Sequence, residues 1–123
     1  MAQARSATNH AGIPAIEIAS FNTNQQVPVA AVVSPGDGRR IKVHGYTLAT
    51  SANGTVELTS SSTTTMVGTE ITRIDLNGSG TSVANMDAGN IWSIGTCLAN
   101  DHLCVSSANL ITINGMIKYS LVP

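Results

Sequence analysis

Ile111-Thr112-Ile113-Asn114-Gly115-Met116-Ile117-Lys118-Tyr119-Ser120-Leu121-Val122 is the cleanest run in the chain. Ile111, Ile113, Gly115, Ile117, Tyr119 and Leu121 share one face at period two, against Thr112, Asn114, Met116, Lys118, Ser120 and Val122 on the other. That alternation belongs to a strand with one buried side. A second long run, residues 41–50, would extend about 33 Å. Its faces are Ile41, Val43, Gly45, Thr47, Ala49 and Lys42, His44, Tyr46, Leu48, Thr50. Neither is cleanly polar, so both faces are expected to meet protein.

The text between and before these runs is also β. Val27, Val29, Ala31 and Val33 fall on one face and stop at the turn cluster Ser34-Pro35-Gly36-Asp37-Gly38, where each residue favours a turn for its own reason. Pro28 cannot donate to a ladder, which places this strand at an edge or a bulge. Asn53-Gly54 is a hairpin signal, because a type I′ turn needs positive φ at both central residues. Residues 55–59 are therefore expected to return antiparallel to the strand before them. The hydroxyl run 60–65 reads as a loop or the start of a solvent-facing strand ending at Gly68. Residues 69–77, with Ile71, Ile74 and Leu76, allow either a strand with a bulge or one helical turn, the strand being preferred. Shorter apolar runs follow at 83–87, 91–94 and 103–106.

Seven to nine short strands with Gly, Asn or Pro about every ten residues are the pattern of a sandwich or barrel. No segment carries the i, i+3, i+4, i+7 recurrence of a core-facing helix. The fold class is thus all-β: an antiparallel β-sandwich or jelly-roll-like domain over residues 27–123. Residues 1–26 read as an extended N-terminal arm, with Ile16 and Ile18 alternating around Glu17 in a short strand near 15–19.

Composition narrows the function. The 123 residues carry a formal net charge of -1, 11% charged and 3% aromatic side chains. A chain so close to charge balance offers no broad basic face to nucleic acid. No run approaches the roughly 20 apolar residues that span a bilayer, and the start lacks the apolar stretch of a secretory signal, so neither membrane nor export is expected. Solubility must come from hydroxyls and amides, a surface suited to contact with other protein.

Reactive groups are few. Cys97, His102 and Cys104 outline a metal site, but zinc favours closer Cys pairs and needs four ligands; a disulfide across a hairpin and two free, partly buried thiols are the other readings, the last preferred. His44 and Tyr46 share a strand face, and Glu57 would oppose them across the hairpin. No phosphate loop, nucleophile elbow or carboxylate pair supports catalysis there, so His44 reads as an interface residue or a satisfied core imidazole. Asn53-Gly54-Thr55 and Asn77-Gly78-Ser79 match glycosylation sequons and read as turns. The chain is expected not to be an enzyme and to need no cofactor or metal.

Arg40-Ile41-Lys42-Val43-His44-Gly45-Tyr46-Thr47-Leu48-Ala49, followed by Ser51-Ala52-Asn53-Gly54-Thr55-Val56-Glu57-Leu58, resembles a family of small β-sandwich proteins encoded among tailed-phage structural genes. Its members tend to open on a basic-aliphatic strand with Gly-Tyr and a Gly-Thr-Val return strand. The resemblance continues through Trp92 and ends at Asn114-Gly115-Met116-Ile117-Lys118-Tyr119, covering residues 39–122. The stretch from Cys97 to Cys104 departs from the pattern. Such proteins are head decoration, or cement, proteins that sit as trimers on the capsid exterior.

The resemblance implies a homotrimer that clamps adjacent major capsid proteins on the outside of a bacteriophage head, made in the host cytoplasm. Candidate contacts are the arm around Ile13, Ile16 and Phe21, and the basic cluster Arg39, Arg40 and Lys42. Tyr46 and Tyr119 are candidates for the core or the trimer seam, and Trp92 for a core or subunit-interface anchor. The alternative is a receptor- or carbohydrate-binding β-sandwich module of a phage tail or fibre, since fold does not fix function.

Overall fold

The computed structural model describes residues 15–23, 28–52, 54–64, 68–76, 82–89, 92–107, 109 and 111–123. Among them are nine strands: β1 (Glu17–Thr23), β2 (Val29–Val32), β3 (Arg40–Thr50), β4 (Gly54–Ser61), β5 (Thr69–Leu76), β6 (Ser82–Asp87), β7 (Gly95–Thr96), β8 (His102–Ser107) and β9 (Ile113–Val122). They form two antiparallel sheets. Sheet one has the order β1-β9-β3-β6, with the two-residue β7 also on β3, and sheet two the order β2-β8-β4-β5.

Setting the short β7 aside, the first strand pairs the last, the second pairs the last but one, the third pairs β6, and the fourth pairs β5. A ribbon of four such pairs rolled over itself is the jelly-roll arrangement. The all-β sandwich expected from the sequence is therefore present, in its jelly-roll form.

The core is aliphatic, as four aromatics in the whole chain dictate. Ile41, Val43, Leu48, Ile113 and Ile117 from sheet one meet Val56, Leu58, Leu103 and Val105 from sheet two, all essentially inaccessible. Each such side chain contributes roughly 1.5–3 kcal/mol relative to exposure.

Two bulges explain why the faces of β3 and β2 read ambiguously. On β3, Val43 faces Tyr119 and Gly45 faces Lys118, leaving His44 as the inserted residue. Odd residues point inward before it (Ile41, Val43) and even residues after it (Leu48, Thr50), because one extra residue inverts a period of two. This inversion of parity is why both faces of the run look mixed. On β2 a register shift between Ala30 and Val32 buries Val32 and turns Val33 out, so Val33 does not share an inward face with Val29. Edge placement of β2 holds, since it pairs β8 alone.

The expected hairpin between β3 and β4 is not formed. One edge of β3 is taken by β9 along its length and the other by β6 and β7, so β4 has no vacant edge and crosses to sheet two, between β8 and β5. The corner is fastened instead to the start of β9: Ser51 N donates to Thr112 O (3.0 Å), Thr112 N donates to Ser51 Oγ (2.9 Å), and Thr55 N donates to Asn109 Oδ1 (3.1 Å). Glu57 consequently lies opposite Arg73 and Ser106, in the other sheet from His44 and Tyr46.

The segment read as an arm also changes. Residues 17–23 are the edge strand of sheet one, in register with β9 from Glu17 opposite Tyr119 to Thr23 opposite Ile113. The strand lies two residues later than the alternation around Glu17 indicated, and the sheet reaches back ten residues before the expected domain start at residue 27.

Candidate interaction surface

Backbone geometry separates the nine candidate contact residues. Ile13 lies outside the described residues. Ile16 is half-buried just before β1, and Phe21 belongs to the core, where it stands opposite Gly115. Phe21 is thus a packing residue of the single molecule. Tyr46 and Tyr119 are partly buried and pack against the core, and burial raises the Tyr46 phenol above its usual range.

The basic cluster divides at the start of β3. Arg40 is exposed, and its Nε and Nη2 donate to Pro123 O at 3.1 and 2.8 Å. Lys42 is half-buried one pleat further on. Arg39 belongs to the β2–β3 loop, where its Nη2 donates to Pro35 O at 2.8 Å.

Trp92 is 76% exposed, so it is not a core anchor. Its ring is carried on a segment pinned from beneath. His44, fully buried at the β3 bulge, donates from Nδ1 to Trp92 O at 2.7 Å, and its Nε2 accepts from the Ser120 hydroxyl at 2.8 Å. Trp92 O is a carbonyl and can only accept, which fixes the ring proton on Nδ1. Ala88 N and Ile94 N, on either side of Trp92, donate to His44 O and Val43 O. His44 is therefore the satisfied core imidazole of the two readings left open, and it anchors the backbone of the segment that carries Trp92.

Sequence reasoning missed other exposed apolar side chains: Ile18, Val33, Met86, Leu98 and Met116. Ile18, Tyr46, Met86 and Met116, with Lys118 and Asp87, line a depression of about 140 Å³ on sheet one. Lys118 Nζ lies 3.1 Å from Asp87 Oδ1, and Gly89 N donates to the same oxygen at 2.8 Å. The Gly89 amide first, then Lys118, hold the Asp87 carboxyl below its ordinary range. The parity of β9 placed Met116 on the outer face from the start; Val33 became legible only with the bulge in β2.

Reactive groups are occupied in structural bonds. Ser60 Oγ donates to Asp101 Oδ2 at 2.7 Å and accepts from Leu98 N at 2.9 Å. His102 Nδ1 accepts from Ser34 N at 2.8 Å, which removes it as a base for any neighbouring hydroxyl. Cys97 and Cys104 are free and buried. Burial pushes the Cys97 thiol up to about 11 and raises Cys104 as well, the opposite of an activated nucleophile. Among the described residues no three His, Cys, Asp or Glu side chains are grouped to hold a metal ion.

No family model matches the chain, and no curated protein sequence matches it. The described residues present one exposed tryptophan, scattered exposed apolar side chains and few charges.

Proposed function

We propose that this domain is a structural virion protein, a decoration or cement protein that binds the outside of a phage head as a homotrimer and reinforces contacts between major capsid proteins. The observation that carries the reading is Trp92, the sole tryptophan, exposed on a segment whose backbone a buried histidine anchors. A large exposed aromatic is the kind of side chain on which interface energy concentrates. The phage-structural resemblance over residues 39–122 points the same way, and jelly rolls recur among viral capsid proteins.

The physics of the role needs no reactive chemistry. A packaged genome presses outward on a thin shell. A protein that binds the assembled lattice but not its separated subunits stabilises the shell by mass action. Three weak contacts on one trimer reinforce each other through effective concentration, and closure about a three-fold axis covers sheet edges that would otherwise pair with other chains. A lone exposed tryptophan also suits stacking on a sugar ring, which is the observation favouring the receptor-binding alternative on a tail or fibre.

The test is sedimentation of the purified chain at micromolar concentration, together with its binding to phage heads stripped of it. The reading expects a trimer and saturable binding. A monomer that ignores heads overturns it, and selective binding on a glycan array favours the alternative.

A further inference from the structure

Two open sheets have four edges, and three of the four here carry devices that discourage further pairing. β2 is four residues long, follows Pro28 and shifts register between Ala30 and Val32. β5 bears Glu70, Arg73 and Asp75, and it is bulged at Ile71, between Thr72 opposite Leu58 and Glu70 opposite Thr59. The edge beyond β3 is interrupted: β6 stops at Asp87, whose carboxylate pairs with Lys118, and the segment carrying Trp92 intervenes before the two residues of β7. Short strands, proline, bulges and charges are how sheet edges are kept from accepting another chain.

β1 has none of these. Its seven residues pair with β9 one for one without a register shift, contain no proline and carry no charge after Glu17. An antiparallel edge strand turns the N–H and C=O groups of alternate residues away from its one partner. For residues 18–22, β9 is the sole hydrogen-bond partner among the described residues. The outward-turned groups of this stretch are therefore open to a further strand. On the outer face Ile18 is exposed and shares the depression of about 140 Å³ with Met86 and Met116, so an apolar side chain set beside Ile18 would extend that patch.

We propose that the free edge of β1 receives an extended segment of a different protein, added as a new outer strand of sheet one with an apolar side chain beside Ile18. A row of unpaired amides and carbonyls is matched by a second such row, which selects an extended polypeptide as the ligand. The source is a different protein because β1 against β1 is a two-fold contact that closes at two molecules and builds no three-fold trimer, while the other described edges of a second copy carry the devices above. The inference rests on the reading of the domain as an adhesion module and names the element and the bonding of one of its contacts.

The experiment reads amide hydrogen exchange in β1 of the full chain by NMR. The probes are acetyl-Ser-Val-Thr-Ile-Thr-Val-Ser-amide and the same peptide N-methylated at its fourth and fifth residues, which removes a donor from each of its edges. In the free protein the outward amides among residues 18–22 are expected to exchange at least about tenfold faster than those facing β9. The unmethylated peptide is expected to slow them at least about tenfold, and the methylated one to leave them unchanged. Slow exchange throughout residues 18–22 in the free chain overturns the proposal, because the edge is then already covered by the chain itself or by a second copy. Equal protection by both peptides, protection at β2, β5 or β6 instead, or no protection at all also overturns it. Exchange is then followed by mass spectrometry with the protein bound to stripped heads, where residues 18–22 are expected to be protected as well. Wild-type protein that binds heads without protecting them sinks the edge assignment alone, whereas wild type that binds no heads sinks the cement reading and leaves the peptide result to stand by itself.

Discussion

Gly115 on β9 sits directly against Leu48 on β3: a Cβ at residue 115 would lie 2.9 Å from the Leu48 Cα and 3.0 Å from its Cβ, and would strike Thr47 O as well. The neighbours in the way are backbone atoms of a central strand, which cannot yield as a flexible side chain does. Gly115→Ala is therefore expected to destabilise the domain by about 3 kcal/mol. Thermal unfolding followed by circular dichroism should show the midpoint fall by on the order of 10 °C; an unchanged midpoint would mean the two strands are not so close.

His44→Ala removes both partners of the Trp92 carbonyl and the Ser120 hydroxyl in one step. Each buried group left unmet costs about 1–3 kcal/mol, so the double loss should exceed that of Ser120→Ala, which leaves the bond to Trp92 O in place. Amide exchange at residues 92–94 should rise in His44→Ala and change little in Ser120→Ala. Equal exchange in the two variants would contradict the positioning role.

Alkaline stability tests the buried thiol. The Cys97 thiol, near 11 when folded, keeps its proton while an unfolded thiol, near the ordinary value of about 8.5, gives it up. The folded state thus binds more protons between those values, and stability falls as pH rises from about 9 to 11. Cys97→Ala should flatten part of that decline in urea titrations. Below pH 8 the native protein should react with a thiol reagent far more slowly than the unfolded chain.

How much of this was legible in the sequence depended on parity. The run ending in Leu121 gave β9 with its inner face intact, because no bulge interrupts the period in that strand. On β3 the same reading failed from His44 onward, since a bulge leaves no mark in an alternating run except two faces that both look mixed. Asn53-Gly54 misled for a different reason. Turn chemistry describes a local reversal, but which edge is vacant is decided by β6, β7 and β9, all later in the chain. The surface was the least legible part: Trp92 between apolar neighbours reads as core, whereas it is 76% exposed.

Trp92→Ala should leave stability within about 0.5 kcal/mol of wild type, because the ring is largely solvated in the isolated molecule. Its fluorescence should resemble that of tryptophan in water and shift to shorter wavelength when the partner surface covers it. An already blue-shifted emission from the monomer would contradict the exposed placement.

The most direct measurement is cosedimentation of wild-type and Trp92→Ala proteins with phage heads stripped of this protein, alongside their mass in free solution. The account predicts that the wild type binds saturably in multiples of three and raises the temperature at which heads rupture, and that Trp92→Ala, though folded, binds at least about tenfold more weakly, as the loss of an aromatic interface anchor implies. Wild-type protein that stays monomeric and leaves head rupture unchanged would contradict it.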